Sequence, residues 1–169
     1  DQGHLFTGGN AFNIGYPTTT GAYQVNYGGN VDIVISKFTQ DGSSLIYSTY
    51  LGGSGAEVPA SLVANAAGEL YIMAITGSSN FPVTAGAFDM SFNGGTSYTL
   101  TYVIQYSNGS DVAISCLNDS GTQLLYSTYL GGTKNDGLNV SSNLKYNYAD
   151  DVRGEVLIDA ESNVYVVGS

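Results

Sequence analysis

The sequence contains Tyr47-Ser48-Thr49-Tyr50-Leu51-Gly52-Gly53, and the same seven residues return at positions 126–132. Each residue of the second copy lies 79 positions after its counterpart in the first. Self-similarity at a fixed spacing is typical of proteins built from copies of one structural unit. We therefore expect a repeat architecture, in which one sheet-forming unit stacks on the next.

Shorter blocks extend the repeat on both sides of the heptapeptide, with three different spacings. At a spacing of 65 residues, Gly21-Ala22-Tyr23 matches Gly86-Ala87-Phe88. At 79, residues 32–36 match residues 111–115, and at 94, residues 65–72 match residues 159–166. A unit of 65 residues with two insertions, at about 96–109 and about 133–148, accounts for all three spacings. This predicts the end of one unit and a connection at 1–30, a full unit at 31–110 and a second, truncated unit at 111–169. We expect the chain to be an excerpt of a longer protein.

The composition favours strands and turns over helices. Among 169 residues the chain has 14 Tyr and 23 Gly but no Trp, and 43% of its residues are hydrophobic. Tyr and β-branched residues favour strands, whereas Gly, Asn and Asp favour turns. No stretch has sustained helical periodicity. The sequence therefore predicts an all-β protein with a real core.

The charge pattern excludes some partners. The net charge is −10 and the chain has only four Lys and Arg residues, so it offers no basic surface for nucleic acid. No apolar run reaches membrane length, and we predict no direct membrane insertion. An acidic, soluble surface suits an extracellular or outer cell-surface location. The one cysteine, Cys116, matches Lys37 in the preceding unit and is expected to be an inert thiol in a strand.

One unit divides into four short strands, as a propeller blade requires. We predict strands at about 32–38, 45–51, 60–64 and 70–76, separated by turns rich in Gly, Asp and Asn. The insertion at 96–109 alternates in polarity, which predicts an extra strand that extends a sheet or protrudes as a hairpin. The insertion at 133–148 is rich in Asn, Gly and Ser and predicts a loop.

These blocks resemble the SBBP repeat, a β-propeller repeat of many bacterial surface and secreted proteins, especially of the Bacteroidota. The resemblance is carried by residues 32–38, the Gln40-Asp41-Gly42 turn, the heptapeptide, residues 161–166, and Phe81-Pro82 with Gly86-Ala87-Phe88. It implies blades of four antiparallel strands, with about two and a half repeats of a larger propeller present here. It also implies a large exported protein, in which a sorting domain of the type 9 secretion system is common. The family's acidic pair after Gly-Gly is matched to Asp150-Asp151 in the second unit and to Ala56-Glu57 in the first.

Catalytic chemistry has little support in the sequence. The single histidine, His4, matches Glu69 in the repeat, which indicates a solvent-facing strand entry and not a general base. A pair of carboxylates would suit glycoside hydrolysis, with Asp136, Asp150, Asp151 and Glu155 as the candidates. We predict no enzyme and no cofactor. The one metal prediction is Ca²⁺ at Asp150 and Asp151, because hard cations bind carboxylate oxygens on flexible loops.

Five tyrosines lie in the insertions and are not explained by the repeat. They are Tyr98, Tyr102, Tyr106, Tyr146 and Tyr148. Tyr is enriched at protein interfaces, so these are the predicted partner-binding residues. Tyr47 and Tyr50, with their counterparts in the second copy, are instead expected to pack between blades.

Together these features predict a non-catalytic β-propeller segment of a large secreted or cell-surface bacterial protein. Such a segment would act as a scaffold, a protein-interaction module or part of an adhesin, and as a cargo of the type 9 secretion system. Its expected partners are other blades of the parent protein, the secretion machinery, and other surface proteins or glycans. The alternative is a glycan-binding or glycan-degrading propeller whose site is built from several blades.

Overall fold

The computed structural model describes residues 3–100, 103–145 and 150–168. These residues form eleven β-strands and one short 3-10 segment, η1 (Ser142–Leu144). The strands are β1 (Leu5–Ala11), β2 (Asp32–Phe38), β3 (Leu45–Leu51), β4 (Glu57–Ala64), β5 (Leu70–Thr76), β6 (Tyr98–Leu100), β7 (Ile104–Tyr106), β8 (Asp111–Leu117), β9 (Leu124–Leu130), β10 (Gly154–Ile158) and β11 (Val164–Gly168). The all-β prediction is confirmed. Among the described residues, no helix is long and apolar enough to cross a membrane.

The strands form three sheets and a separate hairpin. The first sheet has the order β1-β2-β3, the second has the order β4-β5-β8-β9, and the third is the pair β10-β11. Strands β6 and β7 form the hairpin on their own. Every pairing between neighbouring strands is antiparallel. The described sheets form an open array and not a closed propeller, so the propeller and its number of blades stay predictions.

The second sheet does not coincide with one sequence unit, because it combines strands of two consecutive units. Its strands β4 and β5 come from the unit at 31–110, and β8 and β9 come from the next unit. This arrangement arises because Gly52-Gly53 ends β3 and the chain then crosses to a new sheet, where Ala56 forms a parallel bridge with Val31. The predicted strand at 60–64 begins earlier, at Glu57, and includes Pro59. Pro is tolerated there because β4 is an edge strand with a bulge between Pro59 and Ser61.

The second sheet is buried on both faces and carries the core. In β5, Tyr71, Met73 and Ile75 belong to a cluster shared with Val156 of the third sheet. The alternate residues Leu70, Ile72 and Ala74 belong to a second cluster, shared with Ile33, Ile35 and Tyr47 of the first sheet. This division follows from the two-residue period of a strand. The three sheets therefore pack face to face in chain order.

The insertion at 96–109 contains the predicted extra strand, in the form of the β6–β7 hairpin. Leu100, Ile104 and Tyr106 on this hairpin are buried in the cluster between the second and third sheets. The hairpin therefore neither extends a sheet nor protrudes, because its apolar side packs against the core.

Candidate functional site: two equivalent notches

The two sequence units make the same contacts in space. The Tyr16 N–H donates to Oη of Tyr50 at 2.9 Å, and the Phe81 N–H donates to Oη of Tyr129 at 3.0 Å. Likewise the Thr19 N–H donates to the Ser48 carbonyl at 3.0 Å, and the Thr84 N–H to the Ser127 carbonyl at 3.0 Å. In each unit the connecting segment before β2 or β8 thus lies along the heptapeptide strand. The sequence repeat is a structural repeat.

The first and second sheets interlock through a surface that we name the first notch, formed by Tyr23, Lys37 and Tyr47. The notch holds the turn at 118–121, which joins β8 to β9 of the second sheet. The Tyr23 N–H donates to the Gly121 carbonyl at 2.8 Å. Lys37 forms an ion pair with the Asp119 carboxylate, and its Nζ also donates to the Asp119 carbonyl at 3.2 Å.

Gly121 fits the first notch because it has no side chain. Its φ of 66° lies in the left-handed region that favours glycine. A Cβ at this position would overlap the ring of Tyr47. Tyr47 is only 2% exposed, and burial raises the pKa of its hydroxyl well above the ordinary value. The turn therefore seals an aromatic side chain that the first sheet alone would leave open.

The same surface occurs on the second sheet, and we name it the second notch. By the repeat spacings, Phe88 takes the place of Tyr23, Cys116 that of Lys37 and Tyr126 that of Tyr47. Within the described part of the chain, no turn fills this notch. Phe88 is 87% exposed, and the ring of Tyr126 is only partly buried. A cavity of about 390 Å³ remains there, lined by residues 84–88 and 125–128.

Cys116, the counterpart of Lys37, is buried in the core cluster between the second and third sheets. Burial raises the pKa of the Cys116 thiol to about 12, so it carries no negative charge at neutral pH. This agrees with the expectation of an inert strand thiol. The second notch therefore lacks the positive charge that Lys37 gives the first.

Two pairs of carboxylates fix the corners where the chain leaves one sheet for the next. In the first corner, Asp32 accepts hydrogen bonds from the Gly28 N–H at 2.6 Å and from Nε2 of Gln24 at 3.2 Å. Glu57 accepts from the Gly53 N–H at 2.9 Å and from the Thr76 hydroxyl at 2.8 Å.

The first corner is fully buried, which decides its chemistry. A Cβ at Gly52 would lie 2.6 Å from Oε2 of Glu57 and 2.7 Å from Oδ1 of Asp32, so the close approach of the two carboxylates requires glycine. Burial, with a smaller contribution from Asp32, raises the pKa of Glu57 to about 7. Because both residues are 0% exposed, neither can act on a saccharide. The pair holds the backbone in place.

The second corner corrects one sequence assignment. Asp111 accepts from the N–H groups of Asn93 and Gly94, at 2.7 and 2.9 Å, as Asp32 accepts from the equivalent turn. Asp136 accepts from the Gly132 N–H at 2.8 Å, as Glu57 accepts from Gly53. The counterpart of Glu57 is therefore Asp136 and not Asp151. The equal spacing of four residues after the second glycine was the sequence signal for this pair.

Asp150 and Asp151, the predicted Ca²⁺ ligands, both lie beside basic side chains. Asp151 forms an ion pair with Lys145, and Oδ1 of Asp150 lies 3.3 Å from Nη1 of Arg153. Across residues 3–100, 103–145 and 150–168, no group of three or more His, Cys, Asp or Glu residues is placed to hold a metal ion. The geometry thus adds no support to a Ca²⁺ site there.

The insertion tyrosines have different positions. Tyr98 is partly buried; its hydroxyl accepts a hydrogen bond from Nζ of Lys145 at 2.6 Å and donates to Asp151 at 3.4 Å. Tyr106 is 0% exposed in the core, so we do not retain it as a partner-binding residue. Tyr102, Tyr146 and Tyr148 lie outside the described residues. The second notch instead combines an exposed aromatic side chain, Phe88, with Tyr126, which sequence analysis had expected to pack between blades.

Comparison with known proteins adds no further guide to this surface. No family model matches the chain, and no curated protein matches it at a significant level.

Proposed function

We propose that this chain is a non-catalytic β-propeller segment of a large secreted or cell-surface bacterial protein, where it acts as a scaffold and protein-interaction module. The observation that carries the proposal is the first notch, in which a turn of one repeat is held by the preceding repeat. Radially repeated four-stranded sheets are the building plan of propellers. The resemblance of the heptapeptide and its flanking blocks to the SBBP repeat favours the same architecture and an exported parent protein.

The scaffold role follows from how the two units use their polar residues. The two serine pairs, Ser36 with Ser48 and Ser115 with Ser127, bond across equivalent strands at 3.1 and 2.8 Å. Thr49 and Thr128 each accept an N–H from the connecting segment at 2.9 Å. The repeated residues are thus occupied in holding sheets and connections together. Because these repeated polar residues bond within the fold, they suit a scaffold that displays binding surfaces, as in an adhesin or a cargo of the type 9 secretion system.

The location is tested by labelling the bacterium that makes this protein with an antibody raised against residues 3–168. We expect labelling of intact cells or recovery of the protein from the medium. An antibody against a cytosolic protein of the same cells is the control for leakage. Labelling that appears only after lysis would overturn the export proposal.

The non-catalytic role is tested against the glycan alternative. The full-length parent protein is incubated with a panel of bacterial, plant and animal polysaccharides, and reducing-end release and saturable binding are measured. We expect neither. Turnover of any polysaccharide, or saturable glycan binding by this segment, would favour the alternative over the scaffold.

A further inference from the structure

We propose that the second notch and the open side of β11 together form one docking site for a β-hairpin of a neighbouring repeat. The tip of that hairpin enters the notch, and its first strand pairs with β11. This inference rests on the proposed scaffold function and names the partner of its exposed surface. The evidence is that the first notch is already occupied by such a hairpin, β8–β9.

The first interface defines what the tip must offer. Its turn at 118–121 presents a glycine with positive φ, whose carbonyl accepts the Tyr23 N–H. The absence of a side chain on Gly121 lets the turn rest on the ring of Tyr47. A partner for the second notch needs the same two properties, because the notch has the same form.

The second notch offers the matching groups. The Phe88 N–H takes the place of the Tyr23 N–H, and among the described residues it has no hydrogen-bond acceptor. The ring of Tyr126 stands edge-on to Tyr71, with centroids 6.0 Å apart, so it is held in place without the tip. A donor, an aromatic wall and a cavity are thus available together on the second sheet.

The third sheet places a strand edge next to this notch. In the second sheet, β8 lies beside β5 on the side away from β4, and its turn emerges at the Leu70 end of β5. In the third sheet, β10 and β11 correspond to β4 and β5. On the side of β11 away from β10, no strand is present in the described part of the chain. A hairpin added there would bond to β11 as an extra strand.

The geometry of the turns shows that edge and notch belong together. Gly68, with φ 85°, precedes β5 and lies so near the first notch that a Cβ on it would be 3.2 Å from Nζ of Lys37. Its counterpart before β11 is Ser162, the one described residue other than glycine with a positive φ, at 63°. Ser162 and Tyr71 both contact Asn65, and Tyr71 packs on Tyr126 of the second notch. A hairpin on β11 would therefore bring its tip to the second notch.

The chemistry of the two notches differs in one way, which specifies the partner further. Lys37 attracts Asp119 in the first notch, whereas Cys116 in the second notch carries no charge. The exposed Phe88 also makes the second notch more apolar than the first. The partner hairpin thus needs the tip glycine but not an acidic residue beside it.

The probe is a peptide with the sequence of residues 111–130, closed into a ring through an added Asn-Gly turn. Ring closure is needed because an isolated hairpin is only marginally stable in water. Binding of the labelled peptide to the full chain is measured by fluorescence anisotropy. Three peptides are compared: the native sequence, Asp119→Ser and Gly121→Val. A linear peptide of scrambled sequence is the control for nonspecific adhesion.

We expect saturable binding of the native and the Asp119→Ser rings with equal affinity, and a loss of about tenfold or more for Gly121→Val. The protein variants Tyr126→Ala and Phe88→Ser should weaken binding by about tenfold. Phe88 is exposed, so its variant tests the site even where Tyr126→Ala affects folding. Ile14→Ser, at a residue that is 76% exposed outside the notch, should leave binding unchanged.

Four results would overturn the proposal. They are the absence of saturable ring binding, equal binding of the scrambled peptide, no effect of the notch variants, and a loss with Asp119→Ser as large as with Gly121→Val. The last result would mean that the peptide displaces the chain's own turn beside Lys37. Neither cell labelling nor the polysaccharide assay depends on this notch. Failed peptide binding with intact-cell labelling would therefore remove the docking site alone.

Discussion

Tyr47 and Tyr126 have the same place in two copies of one heptapeptide, yet they have different surroundings. The turn at 118–121 covers Tyr47, whereas Tyr126 lies beside a cavity of about 390 Å³. Their strands pair in the same register with β2 and β8, so the difference does not come from the local fold. It comes from the neighbouring sheet. The second sheet covers Tyr47 with the β8–β9 hairpin, whereas among the described residues the third sheet has only β10 and β11 beside Tyr126. In this repeat, burial is therefore a property of the interface between units.

The largest expected effect comes from removing the two tyrosine rings. Tyr47→Ala should lower the free energy of unfolding by about 3–5 kcal/mol, because a fully buried ring is lost. Tyr126→Ala should cost about half as much, since its ring is partly exposed. Both are measured by urea unfolding of the full chain.

Tyr47→Phe serves as the matched control for the ring. Among the described residues, the buried Tyr47 hydroxyl has no hydrogen-bond partner, so Phe should leave stability unchanged or raise it. Equal losses for Tyr47→Ala and Tyr126→Ala would contradict the difference between the notches.

The next effect concerns the glycine in the β8–β9 turn and its counterpart in the β2–β3 turn. Gly121→Ala should cost about 2–4 kcal/mol, because it adds overlap with Tyr47 to the strain of a positive φ. Gly42 is its counterpart in the first unit, with φ 70° and no atom within 4 Å of an added Cβ. Gly42→Ala should therefore cost only about 1 kcal/mol. Urea unfolding of both variants checks the prediction, and equal losses would mean that the turn does not rest on Tyr47.

The strands and the repeat were predictable from sequence, because they depend on local patterns. Asp-Gly and Ser-Gly turns, and the alternation of residues 45–51, predict the hairpins β2–β3 and β8–β9 directly. The strands within the 14-residue insertion were also predictable, since its alternation from Tyr98 to Tyr106 indicates strands. The burial of the β6–β7 hairpin was not predicted. Its alternating sequence shows that one side is apolar, but not which part of the protein covers that side.

The sequence of one unit does not show that the second sheet takes strands from two units, nor that the second notch stays open. Whether β4 pairs back to β3 or starts a new sheet depends on where Gly52-Gly53 directs the chain, and no local pattern specifies that direction. The partial exposure of Tyr126 could not be predicted either, because Tyr126 and the buried Tyr47 stand in identical heptapeptides. Asp136 was missed for another reason. Spacings of 79 and 94 both match Glu57 to an acidic residue, and only the hydrogen bond from Gly132 distinguishes them.

A smaller effect concerns the charge difference between the notches. Lys37 is 1% exposed in its side chain and Asp119 is 62% exposed. Asp119→Ala leaves the buried ammonium with the carbonyl of residue 119 and the Phe6 ring, which should cost about 1–2 kcal/mol. Lys37→Met keeps the volume and removes the charge, so it should cost less than Asp119→Ala.

The matched control for Asp119 is Gln40, which holds the same place in the exposed turn of the first unit. Gln40→Ala should change the free energy of unfolding by less than about 0.5 kcal/mol. Thermal and urea unfolding report all three variants. A loss with Gln40→Ala as large as with Asp119→Ala would show that turn stability, and not the ion pair, sets the result.

The last effect concerns pH and compares the two corners. Glu57 has a pKa of about 7 in the folded chain, above its ordinary value of 4.5, because burial favours the neutral acid. Its contribution to stability is therefore complete below about pH 4.5 and is lost as the pH rises through 7. Glu57→Gln keeps the shape without titrating, so it should reduce the fall in unfolding free energy between pH 5 and 8 by on the order of 1–2 kcal/mol.

The control for this prediction is Asp136→Asn, at the matching and more exposed position of the second corner. This variant removes a corner carboxylate that is only partly buried, so it separates the effect of burial at Glu57 from the loss of a carboxylate itself. Urea unfolding at half-unit pH steps measures both variants beside the native chain. The same slope in the native chain and in Glu57→Gln would show that Glu57 stays ionised in the fold. In that case the hydrogen bonds from Gly53, Thr76 and Ser78 would outweigh its burial.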